Sequence, residues 1–335
     1  MRRAAVGVLL VALVGCKSTH ARQPQSGTIV LRPLPAQGLV DEKRRGVTLR
    51  DLHGRRLVWL PGFAVTQGSP PREPPDFLGT RVRTPLFHGP HGWYRLDAAR
   101  HVLVPVRRGR LPLAGGAVAV AHRGEAFTVE RRGRVVLRGS APNFAILSQR
   151  LVQAGRTLLD VETGRRWTLP PGCLFAGFRG RALVLACGMG HGANGVVPLV
   201  LERMAPGGAT RPLAPRLAQL IPEAASLSPD RTWVAVQGDT GCAGSWTYVA
   251  PARGGAARLV YGRSPKQPWD ANFSTLLGWS ADGRLVVRFT PPYCDEPYGP
   301  QLPPRGVYLV DPRTLARTFV TRSAEAMWNP APRRR

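Results

Sequence analysis

Two stretches in the second half of the chain decide the fold: residues 227–236, LSPDRTWVAV, and residues 279–287, WSADGRLVV. They begin 52 residues apart, and in each a Ser-Pro-Asp or Ala-Asp-Gly turn is followed by an apolar strand. A weaker copy, FRGRALVL, lies earlier at residues 178–185. Repetition at this interval predicts one structural unit used several times, in which neighbouring units bury each other's apolar faces.

Around these copies the chain shows seven hairpin patterns, each an alternating strand, a polar turn and a second alternating strand. They occupy residues 47–60, 93–106, 126–137, 158–169, 197–213, 246–260 and 307–320. One hairpin cannot bury its own apolar face, so repeated hairpins predict blades or an array. We expect an all-β chain that forms a β-propeller of seven blades. Six or eight blades remain open, and a β-sandwich is the alternative architecture.

The turn-and-strand copies, each followed by a strand–turn–strand such as VYLVDPRTLARTFVT at residues 307–321, resemble the TolB-type, WD40-like propeller repeat. Good matches cover residues 227–320, and toward the N-terminus only the hairpin rhythm supports the resemblance. The resemblance implies a platform for protein docking. It does not imply the specific Tol role, because no helical domain is visible before the propeller pattern.

The first fifteen residues have the pattern of a secretory signal. Arg2 and Arg3 precede an apolar run at residues 4–14, which is too short to span a bilayer. The run ends Leu-Val-Gly-Cys at residues 13–16, which resembles the bacterial lipobox. That resemblance implies diacylglyceryl attachment and acylation, for example by palmitate, at Cys16. An ordinary signal peptide followed by a chance cysteine is the alternative.

The sequence therefore predicts four segments. These are a lipoprotein signal peptide (1–15), the lipidated cysteine with a polar tether (16–27), a propeller domain (28–325) and a basic tail (326–335). Lys17, where an aspartate would retain an enterobacterial lipoprotein in the inner membrane, resembles an outer-membrane destination. We expect a monomer that is lipid-anchored in the bacterial cell envelope and faces the periplasm or the cell surface.

The net charge of +27 comes almost entirely from arginine, since the chain has only three lysines. Two interpretations remain open. Arginine attracts polyanions such as lipopolysaccharide, but a GC-rich genome also favours arginine over lysine, and these arginines are spread along the whole chain. Nucleic acid is not an expected partner, because no recognised binding motif is present and because the chain is predicted to be membrane-anchored.

Four cysteines remain once Cys16 is assigned to lipid, and an even number in an exported protein predicts two disulfides. Cys242 and Cys294 each lie twelve residues after the turn aspartate of their repeat copy, which would bring them together on adjacent blades. Cys173 and Cys187 flank the turn at residues 179–180, and their disulfide would join two adjacent strands of one blade. Free buried thiols are the alternative.

Motifs for catalysis and for metal or phosphate binding are missing. The chain has no Gly-x-Ser-x-Gly, no phosphate loop and no Cys-x-x-Cys or Cys-x-x-His spacing. We therefore predict no catalytic residue, no cofactor and no metal site, and we favour a non-enzymatic role.

Loop residues of unusual composition make up a candidate binding face for an envelope protein or a glycan. A glycine-dense segment contains one of them, and an acidic, aromatic segment around Cys294 contains four. The candidate residues are His191, Trp246, Tyr293, Asp295, Glu296 and Tyr298. The enzymatic alternative is a glycosidase or lyase with carboxylates in the central funnel, for which Asp239, Asp270, Asp295 and Glu296 are candidates.

Overall fold

The computed structural model describes a chain built almost entirely of β-strands. The described residues are 27–65, 81–82, 85–106, 109–122, 126–140, 144–188, 199–206, 208–214, 221–239, 244–261, 272–290 and 304–328. Within them the only helical element is a single 3-10 turn at Ala114–Gly116. The strands form seven antiparallel blades arranged as a β-propeller, so the predicted fold class and blade number are confirmed.

Each blade is a meander of four strands, of which the first lies at the central channel and the fourth at the rim. In that order the strands are Ala326–Trp328, Gly38–Lys43, Gly46–Arg50 and Arg56–Pro61 in blade 1; Ala64–Val65, Leu86–Gly89, Gly92–Asp97 and Val102–Val106 in blade 2; Arg110–Pro112, Ala117–Ala121, Ala126–Arg131 and Arg134–Ser140 in blade 3; Phe144–Ile146, Leu151–Ala154, Thr157–Asp160 and Arg166–Thr168 in blade 4; Cys173–Arg179, Ala182–Gly188, Leu199–Met204 and Thr210–Pro212 in blade 5; Ile221–Leu227, Trp233–Asp239, Gly244–Pro251 and Arg258–Leu259 in blade 6; Asn272–Trp279, Leu285–Phe289, Gly306–Val310 and Arg317–Thr321 in blade 7.

Two short strands complete this pattern. Ile29–Val30 adds a fifth strand at the rim of blade 2, where it pairs antiparallel with residues 102–103. Arg81–Val82 pairs in parallel with residues 145–146 of the innermost strand of blade 4.

The seven hairpins that the sequence predicts are the third and fourth strands of the seven blades. The repeat copies are the connections between the first and second strands of blades 5, 6 and 7. In the copies of blades 6 and 7, Ser228 and Ser280 accept hydrogen bonds from backbone N–H groups four residues further on, at 3.1 and 3.0 Å. The serine and aspartate that recur in the sequence copies therefore close these turns with side-chain hydrogen bonds.

The apolar core lies between the blades. Buried side chains from the facing sides of neighbouring blades form clusters, such as the one shared by blades 3 and 4. There Phe127 and Phe144 stack with ring centroids 5.0 Å apart. A Cβ atom at Gly139 would lie 2.9 Å from the Phe144 ring, so the blade-3 rim strand needs glycine at this position.

The ring closes between the two ends of the described chain. Ala326–Trp328 supplies the innermost strand of blade 1 and pairs antiparallel with residues 38–40. A Cβ at Gly38 would lie 2.3 Å from the Trp328 ring, which explains the glycine at this contact. The sequence placed residues 326–335 in a basic tail, and this boundary is wrong for residues 326–328. Three residues give too short a pattern to mark a strand, yet their side chains are buried.

A buried carboxylate reinforces the closure. Asp41 is 0% exposed and lies 3.0 Å from Lys43 Nζ and 3.2 Å from Arg50 Nε. It also accepts a 2.7 Å hydrogen bond from the hydroxyl of Ser323, in the connection that leads from blade 7 to blade 1. Because a buried charge without partners is costly, this group of residues holds the closing connection against blade 1.

Candidate functional site

The two faces of the propeller disc differ. Since consecutive strands run antiparallel, the connections alternate between the faces. The turn face carries the connections between first and second strands and between third and fourth strands. The loop face carries those between second and third strands and those between blades.

Connection length separates the two faces in blades 5 and 7. In blades 3 to 7 every turn-face connection has two to six residues, whereas the second-to-third-strand connections of blades 5 and 7 have ten and sixteen. Blade 2 is the exception on the turn face. Its first and second strands are connected by residues 66–85, a long segment that includes the short strand Arg81–Val82. Long connections in a compact domain are commonly functional, so the loop face of blades 5 to 7 is the candidate site.

Most of the predicted site residues belong to these long connections. Outside the described residues lie Cys16, His191, Cys242, Tyr293, Cys294, Asp295, Glu296 and Tyr298. The described strands that flank residues 189–198, 240–243 and 291–303 all end on the loop face. The bridge between Cys242 and Cys294 stays a prediction.

Trp246 is the one described member of the candidate binding face, and it is not at the surface. Its side chain is 3% exposed and packs in the apolar cluster between blades 5 and 6. Its indole N–H is buried and has no hydrogen-bond partner among the described residues. Alternation along the third strand of blade 6 directs Trp246 into the core, so its role is packing beneath the loop face.

The predicted disulfide between Cys173 and Cys187 is present. The two residues lie directly opposite each other on the first and second strands of blade 5, with Cα atoms 4.0 Å apart. Cys187 is two residues before the long connection 189–198, so the bridge fixes the strand end from which that connection leaves. A carboxylate oxygen of Glu202 and the two sulfurs lie within 4.8 Å of one another, but thiolate ligands are not available while the bridge is formed.

Blades 6 and 7 are joined directly near the loop face. The third strand of blade 6 pairs in parallel with the innermost strand of blade 7 at residues 244–245 and 272–273. Ser274 Oγ then donates to Thr247 Oγ1 at 3.0 Å in a buried polar contact. These bonds fix the relative position of the two strands that follow residues 240–243 and 262–271.

A pair of carboxylates that the sequence did not single out lies at the loop-face end of the channel. Glu325 immediately precedes the innermost strand of blade 1 and forms an ion pair with Arg288 of blade 7. Glu42, on the second strand of blade 1, accepts a 3.3 Å hydrogen bond from the backbone N–H of Val65 in the innermost strand of blade 2. The only sequence signal was a run of five charged residues, 41–45, of which the first three lie within a strand.

Burial raises the pKa of the Glu42 carboxyl, and the nearby negative charge of Glu325 raises it further, while the Val65 hydrogen bond opposes the shift. The neighbouring Glu325 has its own cation in Arg288. The two carboxyls therefore differ in environment, because Glu325 has a cationic partner and Glu42 is partly removed from water. Such a pair can bind a hydroxyl-rich ligand or donate a proton.

Solved structures resemble this chain in fold. One from a study of two prolyl endopeptidases matches with a TM-score of 0.51 at 11% identity and covers 90% of this chain and 50% of its own. Putative TolB from Agrobacterium tumefaciens gives a TM-score of 0.30 at 21% identity over 49% of this chain and 52% of its own. TolB from Acinetobacter baumannii gives 0.33 at 16% identity, over 72% of this chain and 67% of its own.

The chain spans about half the length of the first two of these structures. No family model matches the chain, and no curated protein matches it. At these identities the likeness shows the fold alone.

The N-terminal part of the described chain crosses the turn face. Val30 lies at the rim of blade 2, and Leu34 N donates to His101 Nδ1 at 3.1 Å in a turn-face connection of that blade. Gln37 then reaches blade 7, where its side chain donates to Trp279 O at 3.1 Å and accepts from Ala281 N at 2.6 Å. The described chain therefore begins at the rim of blade 2. No helix in the described part of the chain has the length and hydropathy of a membrane span.

Proposed function

We propose that this chain is an exported lipoprotein, anchored in the outer membrane through Cys16, whose propeller docks an envelope protein or a glycan on its loop face. The lipobox-like sequence at residues 13–16 supports the anchor. The observation that carries the docking role is the difference between the faces. Short connections close the turn face of blades 3 to 7, whereas connections of ten and sixteen residues extend from the loop face of blades 5 and 7.

A rigid base supports those long connections. The Cys173–Cys187 bridge holds one strand end, and the Ser274–Thr247 contact holds the strands on either side of the boundary between blades 6 and 7. Binding residues in proteins are commonly found on loops that a rigid scaffold positions. A fixed base also reduces the ordering entropy that binding costs.

The tether permits the disc to reach a partner. The eleven peptide units between Cys16 and Gly27 extend at most about 40 Å. Their attachment at the rim of blade 2, marked by the pairing of Ile29–Val30 with residues 102–103, leaves the loop face of blades 5 to 7 uncovered by the described N-terminal segment.

A tagged chain expressed in its bacterial host tests the docking role. After in-cell crosslinking and purification, we expect one stoichiometric envelope partner. Replacing residues 190–197 by a Gly-Ser linker, or introducing Tyr293→Ala and Tyr298→Ala, should remove that partner. Arg313→Ala, an exposed turn-face change, is the matched control and should leave it. Capture that is unchanged in both loop-face variants would contradict the docking role.

Cys16→Ser tests the anchor separately. The variant should lose incorporation of labelled palmitate and leave the membrane fraction. A Cys16→Ser chain that stays in the membrane fraction would contradict the lipid anchor without affecting the docking test.

A glycan-acting enzyme is the second candidate, and the Glu42–Glu325 pair is the observation that favours it. Glycoside hydrolases use two carboxyls in different environments. Release of reducing ends from envelope polysaccharide by the purified chain, lost in Glu42→Gln and retained in Glu130→Gln, would support this activity. No release by the unaltered chain would exclude it for the polysaccharide tested.

A further inference from the structure

Four arginines come together on the turn face where blade 5 meets blade 6. Arg203 and Arg211 lie directly opposite each other on the third and fourth strands of blade 5. Arg179 ends the first strand of blade 5, and Arg253 lies in a turn-face connection of blade 6. We call Arg179, Arg203, Arg211 and Arg253 the arginine cluster.

Register and hydrogen bonding show that the cluster spans the two blades. Leu201, two residues before Arg203, is 0% exposed in the apolar cluster between blades 5 and 6, so alternation places Arg203 on the same side. Arg211 shares that side because it is the direct cross-strand partner of Arg203. Arg179 NH1 donates to Ala252 O of blade 6 at 3.0 Å, next to Arg253.

This arrangement is electrostatically unfavourable for the chain alone. Like charges directly opposite on paired strands destabilise a sheet. Burial and the positive charges of Arg253, Arg203 and Arg211 together lower the pKa of Arg179. Within the described parts of the chain, no carboxylate forms an ion pair with any member of the cluster.

Several arginines elsewhere in the described chain have a compensating partner. Some pair with carboxylates, namely Arg50, Arg110, Arg150, Arg284 and Arg288. Others lie over aromatic rings, namely Arg56, Arg165, Arg258 and Arg317. Arg50 and Arg56 form a comparable cross-strand pair in which both charges have a partner. Arg50 contacts Asp41, and Arg56 lies over the Trp59 ring. Among the described residues, the arginine cluster has neither a carboxylate partner nor an aromatic ring beneath it.

We propose that the arginine cluster binds a phosphate group between blades 5 and 6. Guanidinium groups match phosphate with paired, charge-assisted hydrogen bonds, and an anion held between Arg203 and Arg211 would remove their repulsion. The phosphate can belong to a lipid headgroup or to a soluble molecule. The site rests on the cluster alone, and only the lipid source rests on the proposed envelope location.

Calorimetric titration of the detergent-solubilised full chain tests the proposal. The probes are inorganic phosphate, dihexanoyl phosphatidic acid and, as the control ligand, dihexanoyl phosphatidylcholine, at constant ionic strength. The test variant is Arg203→Ala with Arg211→Ala. The control variant is Arg131→Ala with Arg134→Ala, which removes the same charge from a cross-strand pair in blade 3.

The test variant should weaken phosphate binding about tenfold or more, because each lost hydrogen bond joined charged groups. The control variant should retain the affinity of the unaltered chain. Tighter binding of phosphatidic acid than of inorganic phosphate would assign the site to a lipid headgroup, and equal binding would assign it to soluble phosphate. An equal loss of phosphate affinity in the test and control variants would overturn the proposal, as would the absence of binding for both phosphate probes.

If the alanine variant does not fold, Arg203→Lys with Arg211→Lys replaces it. This variant keeps the charge but removes the paired donor geometry, and it should still weaken phosphate binding. Unchanged affinity in the lysine variant would contradict phosphate recognition by these two guanidiniums. The titration involves no loop-face residue, so its failure would leave the docking proposal standing.

Discussion

Gln237 of blade 6 accepts, at its Oε1, a 2.7 Å hydrogen bond from the backbone N–H of Leu276 in the innermost strand of blade 7. Gln153 makes the corresponding link from blade 4 to blade 5, donating to Cys173 O at 3.0 Å and accepting from Phe175 N at 3.2 Å. In both cases a glutamine on the second strand of one blade satisfies backbone groups of the next. These side chains fix blade positions that apolar packing alone would not specify.

Gln237→Ala should lower the free energy of unfolding by about 2 kcal/mol, because the Leu276 N–H loses its acceptor in a site with limited access to water. Urea unfolding followed by tryptophan fluorescence measures this. Gln149→Ala removes an exposed glutamine and should change stability by less than about 0.5 kcal/mol. Equal effects of the two substitutions would show that the blade-to-blade bond contributes nothing.

The Cys173–Cys187 bridge should stabilise the propeller chiefly by restricting the unfolded chain. Its cysteines are 14 residues apart in sequence. A loop of this size predicts a loss of about 3 kcal/mol in the Cys173→Ser, Cys187→Ser variant under oxidising conditions. Urea unfolding of both proteins gives the difference, and peptide mapping of the unaltered chain verifies the bridge. A double variant as stable as the unaltered chain would refute this role.

The raised pKa of Glu42 predicts a stability that falls as pH rises. The folded state holds the proton more tightly than the unfolded state, whose carboxyl has a pKa of about 4.5. Stability is therefore lost from about pH 4 upward until the folded carboxyl has also ionised. Glu42→Gln cannot ionise, so its stability relative to the unaltered chain should increase between pH 4 and pH 7. A difference independent of pH would contradict the assigned environment.

Asp311 should show the opposite dependence. Backbone N–H groups of Thr314 and Arg313, at 2.8 and 2.7 Å from its Oδ1, lower the pKa of this carboxyl. The stabilisation that ionised Asp311 provides is present above about pH 3.8, the pKa of this carboxyl in the unfolded chain. It is lost as the pH falls below that value. The stability gap between the unaltered chain and Asp311→Asn should therefore narrow from pH 6 toward pH 2, which pH-dependent unfolding measures. A stability difference between the two proteins that widens as the pH falls would contradict the lowered pKa of Asp311.

The outer hairpins could be predicted from the sequence because their signals are local. Alternating apolar residues mark the third and fourth strands, and turn aspartates such as Asp51, Asp160 and Asp311 close them with side-chain hydrogen bonds. The cross-strand pair of Cys173 and Cys187 was predictable for the same reason, since both flank one tight turn.

The features that escaped prediction depend on contacts between distant segments. Innermost strands such as Ala64–Val65 and Ala326–Trp328 have two or three residues, which is too few for a periodic pattern. Trp246 looks like a binding residue in the sequence, but only the facing blade shows that it is buried. Glu42 and Glu325 approach each other only after the ring closes, so neither carries a local signal.

Site-specific photo-crosslinking tests the central claim most directly. A photoreactive phenylalanine would replace His191 or Tyr298, in the long connections of the loop face, or Arg100 or Arg313, which are exposed on the turn face. In living cells we expect the same adduct from both loop-face positions and none from the two turn-face positions. The same adduct from the turn-face positions, with none from residues 191 and 298, would contradict docking through the loop face.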